Sequence, residues 1–272
     1  MERMVCKYPG SGRGSLFAAL GALVLAAAGL AHASGPATFA GAPVAIGDGH
    51  ARVIVAEGRH GAPTSVSLVI SAGALRGLPG HGAGRESWEY ILPMPATGPR
   101  TGFDHVTLDW NPVGHIPKGV YSVPHFDVHF YVISVVEQHA ITFTGADRER
   151  LLAPPDGRLV PTGYVVPPET AVEQMGLHGL DPGSPEFHGK PFTYTFLYGY
   201  HDGRLIFVEP MISLAYFLEQ RDVTVPVRTP AAYSSPAYYP TRYRVGYDAS
   251  RNEYRVALAG LRPYGTRAAA AD

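Results

Sequence analysis

"PHFDVHFY" occupies residues 124–131, and its reading decides the fold. Phe126, Val128 and Phe130 alternate with His125, Asp127 and His129. Alternate residues of a strand share a face, so the apolar and polar sets point opposite ways. A helix is disfavoured, because Val128, Val132, Ile133, Val135 and Val136 are all β-branched and crowd a helical backbone. The composition predicts one long strand over residues 119–137, bent at Pro124.

The flanking segments read the same way. Residues 43–58 predict two short strands around Gly47-Asp48-Gly49, and residues 64–73 alternate Val66, Leu68 and Ile70 as a third. A helical turn or two over 72–80, a flexible glycine-rich loop to residue 86 and short strands over 87–95 and 103–112 follow. The clearest hairpin is 192–210, turning on Asp202-Gly203, the favoured type I′ pair. A simple two-residue turn sets Tyr198 against Phe207 and Phe196 against Glu209, which strands one carboxylate on an aromatic face. Pro210 is expected to open a helix, and residues 243–258 a last hairpin. The fold class is mainly β: one β-rich domain over 34–265, built of antiparallel strands and hairpins with two or three short helices. A disordered tail over 266–272 completes the chain.

The N-terminus reads as an export signal. Arg3, Lys7 and Arg13 precede an apolar run over 16–30, and Ala31-His32-Ala33 forms a cleavage site before Ser34. The expectation is a signal peptide over 1–33 and a periplasmic or secreted protein, with no membrane span after cleavage. Cys6 is the one cysteine and would leave with the signal, so no disulfide framework is expected. A formal net charge of −1 argues against nucleic acid as a partner. Self-association is left open.

The polar row at 125–129 carries the candidate chemistry. The Cα atoms of His125 and His129 should lie about 13 Å apart along a strand. An ion about 5 Å above Asp127 is then about 8 Å from each, just within reach of an imidazole plus a bond of about 2.1 Å. His178 in "MGLHGLD" and the stranded Glu209 are expected to complete the shell, with His105 and His115 as weaker candidates. Histidine and carboxylate donors without thiolate suit zinc, manganese, iron or copper. His50, His60, His81, His139, His188 and His201 read as loop or surface residues. Three functions follow: a metal-binding exported protein of unknown activity, a metal-dependent enzyme of cupin-like or hydrolytic type, or a structural protein whose histidines form a hydrogen-bond ladder without metal.

Several segments resemble an uncharacterised family of exported bacterial proteins, a domain of unknown function. They are residues 61–79, 104–131, 175–181, 198–212 and 239–258, with "PHFDVHFY" and "EPMI" the most specific. The resemblance implies export and a β-rich single domain, and no catalytic roles. Gly119, six residues before His125, also resembles a cupin signature. Three residues separate the two histidines where a cupin has one, and the second cupin motif is not found.

The export reading makes a mass prediction. Exported protein should begin at Ser34, and an intact-mass spectrum showing a mature species that retains Cys6 would overturn it.

Overall fold

A computed structural model describes residues 36–80, 82 and 85–265. The expected signal peptide over 1–33 with Cys6, the expected tail over 266–272, His81 and part of the glycine-rich loop lie outside the described residues. In chain order the strands are β1 (Thr38–Ala40), β2 (Val44–Ile46), β3 (Gly49–Glu57), β4 (Pro63–Ser71), β5 (Trp88–Pro93), β6 (His105–Asn111), β7 (His125–Tyr131) and β8 (Leu177–Gly179). Then come β9 (Tyr194–His201), β10 (Arg204–Ser213), β11 (Val223–Pro226), β12 (Ala237–Tyr239), β13 (Arg242–Asp248), β14 (Glu253–Ala259) and β15 (Arg262–Tyr264). Short helices α1 (Val135–His139), α2 (Asp147–Leu151) and α3 (Leu214–Leu218) interrupt them. Among the described residues no helix is long and apolar enough to cross a membrane.

Two large antiparallel sheets carry the structure. One runs β1-β3-β4-β14-β13-β11 with β2 on β3, the other β5-β6-β7-β10-β9-β8; β12 and β15 form a small third sheet. The core lies between the large sheets. Val53, Leu68, Val256 and Leu258 from the first share one apolar cluster with Val106, Leu108, Phe126, Val128, Phe130 and Val208 from the second. The alternation in "HVTLDWN" and "HFDVHFY" thus does what period-two patterning should: one half fills the core. The other half turns to the outer face of the second sheet. That face is buried too, since every residue of β6 and β7 is buried.

Three expectations are corrected. The strand predicted over 119–137 is confined to His125–Tyr131. Ser134 ends it by capping α1: its side chain accepts from the Glu137 N–H while Glu137 reaches back to the Ser134 N–H, a reciprocal pair that outweighs the β preference of Val135 and Val136. Secondly, Pro210 lies within β10 and opens no helix. The β7–β10 ladder pairs Val208 with Phe130 and resumes at Met211 with Asp127, a gap that suits a residue without an N–H. The helix starts after Ser213, whose hydroxyl accepts from Tyr216 N–H.

The third correction matters most. Asp202 and Gly203 both have positive φ, as a type I′ turn needs, but the hairpin register slips between Leu205 and Phe207. Leu205 still opposes Tyr200, whereas Phe207 opposes Gly199 and Glu209 opposes Leu197, not Phe196. Ile206 is the extra residue of a bulge. Because side-chain direction alternates, one inserted residue moves Phe207, Glu209 and Met211 to the outer face and leaves Val208 and Ile212 in the core.

Gly199 makes room for this. A Cβ there would collide with the Phe207 ring, and Phe207 is fully buried, packed edge-on against His129 and His178. Gly199→Ala should therefore overpack the outer face at a cost of about 1–3 kcal/mol. Thermal denaturation should show a melting temperature lower by roughly 2–12 °C; an unchanged value would mean that the ring is free to move.

Candidate metal centre

The registers bring six polar residues onto one face. Thr107 opposes His129, Asp109 opposes Asp127, and Asn111 opposes His125 across β6 and β7. Continuing the β7–β10 register places Glu209 beside His129. His178 comes from the edge strand β8, opposite Gly199, and His115 from the loop between β6 and β7. The apolar groups Tyr121, Leu197 and Met211 flank this row on one side, with Tyr131, Ile206 and Phe207 on the other. A cavity of about 750 Å³ opens over it, reaching Asp127, His129, His178, Glu209 and His115.

The five candidates converge, but not on one point. His115, His125 and Asp127 form one group and His129, His178 and Glu209 another, the ligand atoms within each lying no more than 4.8 Å apart. The single His125-Asp127-His129 tripod expected from strand spacing is therefore replaced by two groups. Neighbouring side chains cross from adjacent strands and loops more easily than two histidines stretch along one strand. Each group holds two histidines and one carboxylate.

The four histidines are oriented alike. Nδ1 of His115, His125 and His178 lies 2.6, 2.7 and 2.8 Å from the main-chain oxygens of Ile116, Val123 and Thr170. A carbonyl only accepts, so each Nδ1 carries the proton. Nδ1 of His129 faces Asp109 Oδ2 at 2.8 Å and the Thr107 hydroxyl at 3.0 Å. Every Nε2 thus turns toward a carboxylate. His115 and His125 Nε2 are each 3.1 Å from an Asp127 oxygen. His129 and His178 Nε2 are 3.4 and 3.7 Å from the two Glu209 oxygens. Proximity is not pairing, however. His125 Nε2, Asp127 Oδ1, His129 Nε2 and Glu209 Oε2 are buried and unaligned with any hydrogen-bond partner among the described residues.

Burial and charge pull against each other here. Burial opposes the charge on His115, but Asp127 outweighs it and raises the imidazole to about 9. Burial likewise opposes His129, and Glu209 with Asp109 raises it to about 9. Burial lifts Glu209 to about 8 against the pull of His129, and also lifts Asp109. Asp127 falls well below the usual carboxylate range, since His125 and His115 overcome its burial. His178, desolvated beside other imidazoles, drops to about 4 and is neutral at pH 7.

Among the described residues the other histidines do not join. His105 sits on the same face but is held by Asp104 and Gln138. His201 is buried rather than surface-lying, 3.2 Å from Asp147. Reasoning from sequence underweighted His115 and missed Asp109, Thr107 and Asn111. The signal was present: they are the polar half of the alternation in which Val106, Leu108 and Trp110 are the apolar half.

Residues 58–110 match the model of the TTHB210-like family, described as hypothetical protein TTHB210. No curated protein and no solved structure matches the chain. The matched segment includes Asp109 but none of the six residues of the two groups, so it says nothing of ligands.

These shifts set a pH dependence for metal-free protein. Raised imidazoles stabilise fully below the unfolded value of 6.5 and lose that contribution as pH rises through about 9. Glu209, raised to about 8, acts in the same direction, because its ionisation burdens only the folded state. Asp127 contributes above its unfolded value of 3.8 and is flat in this range. His178, lowered to about 4, makes stability rise with pH between about 4 and 6.5 and is flat above that range. The melting temperature of chelator-treated protein should therefore fall between pH 6.5 and 9. A flat or rising profile would show that these groups are not charged as described.

Proposed function

We propose that this is an exported metal-binding protein whose primary site is His129, His178 and Glu209. Four oriented histidines carry the reading. Each gives Nδ1–H to an oxygen and presents Nε2 to a carboxylate, the arrangement by which outer partners hold metal-ligating imidazoles. A hydrogen-bond ladder explains the face less well. In a ladder the buried atoms would pair, yet His129 Nε2 and Glu209 Oε2 are left without partners, an expensive condition inside a protein. A divalent cation would satisfy both and neutralise the carboxylate. Nitrogen and oxygen donors fit zinc, manganese, iron or copper. Export rests on the N-terminal charge, apolar run and cleavage pattern.

One observation favours catalysis as a second reading. Structural zinc sites close with four protein ligands, whereas catalytic ones use three and leave a position for water or substrate. His129, His178 and Glu209 are three, and all line the cavity. A metal held there would acidify a bound water, and the chain's own role would be to orient the imidazoles through Asp109 and Thr170.

Glu209→Gln separates the readings. It keeps the shape and removes the buried charge. Zinc titration should show affinity at least about tenfold weaker, while the metal-free melting temperature at pH 8 is unchanged or higher. Wild-type protein should gain roughly 5–10 °C at saturating zinc. No zinc stabilisation in the wild type, or a destabilised metal-free variant, would make the face a structural network.

A further inference from the structure

We propose that His115, His125 and Asp127 hold a second divalent cation beside the first, so that the outer face carries a pair of metal ions. The inference rests on the metal-binding reading above and extends it to a group that the strand spacing did not separate. The donor set is independent of the first: two imidazoles and one carboxylate, none shared with His129, His178 and Glu209.

Geometry supports a cation over a simple ion pair. Both Nδ1 atoms are committed to the carbonyls of Ile116 and Val123. Each Nε2 then stands 3.1 Å from a different oxygen of Asp127. Ligands bound at about 2.0–2.1 Å to one ion, at angles between octahedral and tetrahedral, lie about 2.9–3.4 Å apart. A proton would serve equally at that distance if the atoms were aligned along it. His115 Nε2 and Asp127 Oδ2 meet that condition and hydrogen-bond. His125 Nε2 and Asp127 Oδ1 do not: both are buried and lack any aligned partner, and His125 is fully buried. Asp127 is meanwhile held in place from outside the group, because Asn111 Nδ2 donates to its Oδ2 at 2.7 Å. Asn111 thus stands to Asp127 as Asp109 stands to His129, a supporting partner on β6 for a ligand on β7.

The two groups also share an opening. Asp127 and His129 are alternate residues of β7, so their side chains leave the sheet about 6.6 Å apart on one face. Both reach the same cavity, as do His115, His178 and Glu209. A molecule entering it would face donors of both groups.

The test is the zinc content of the untagged mature chain, stripped with chelator, reloaded and freed of loose ion. Wild-type protein should retain about two equivalents. His115→Ala alters a partly exposed loop residue and should retain one, as should His178→Ala, with circular dichroism reporting an intact fold. His125→Ala should match His115→Ala if it folds. A wild type holding one equivalent that His178→Ala abolishes and His115→Ala leaves untouched would overturn the second ion and keep the first. One equivalent lost in His115→Ala but kept in His178→Ala would overturn the pair and move the primary site. No retained zinc would overturn both.

Discussion

A carboxylate taken out of water must meet positive charge, and the outer face of the second sheet takes in Asp109, Asp127 and Glu209 together. Everything around them answers that demand. Four histidines are aimed at them by main-chain carbonyls and by Thr107. Loop residues around His115 and the turn carrying Thr170 fold over a face that an ordinary half-buried sheet would leave wet. The energetic result is a trade. Without a cation the cluster retains protons that its members would shed in water, as the raised imidazoles and Glu209 show. A buried charge cluster is weak support for stability on its own, so stability alone does not account for it.

The bulge at Ile206 decides which charges take part. With an uninterrupted hairpin, Glu209 would point between the sheets among Tyr198, Tyr200 and Phe196. It would there lie within an apolar, aromatic core cluster. One extra residue exchanges the two faces of β10 beyond it. The same slip delivers Phe207 to the outside, where it wedges against His129 and His178. Gly199 accepts the ring because a side chain at that position would collide with it. Bulge, glycine and carboxylate form one device spread over a hairpin.

Most of the fold was legible because patterning is local. The β6, β7, β9, β10, β13 and β14 segments alternate cleanly or turn on recognisable pairs, and the antiparallel, mainly β architecture follows from them. Failures came where one residue changes parity or ends an element. Ser134 stops β7 through a cap that β-branched neighbours disguise, and Pro210 sits in a strand because the neighbouring ladder tolerates a gap. For the site, the row at 125–129 was visible as a period-two pattern. Its division into two groups was not, since that depends on His115, Asp109 and Asn111 arriving across a sheet register. Among these, Asp109 and Asn111 carried a usable sign in the polar half of their own alternation.

The position of His178 bears on how long a bound cation would stay. Its strand, Leu177–Gly179, is three residues long and lies at the edge of the sheet beside β9. On its other side it is held by Thr170, through bonds to the His178 main chain and ring, and at its two ends by the bridges Val172–Gly176 and Val165–Leu180. Edge segments of this size open locally at far lower free energy than the core unfolds. Residence time at the primary site would then be governed by the peeling of one short strand, with β6, β7 and β10 standing unchanged. Delivery and release of the ion could share that single movement, at a rate set apart from the strength of the coordination itself.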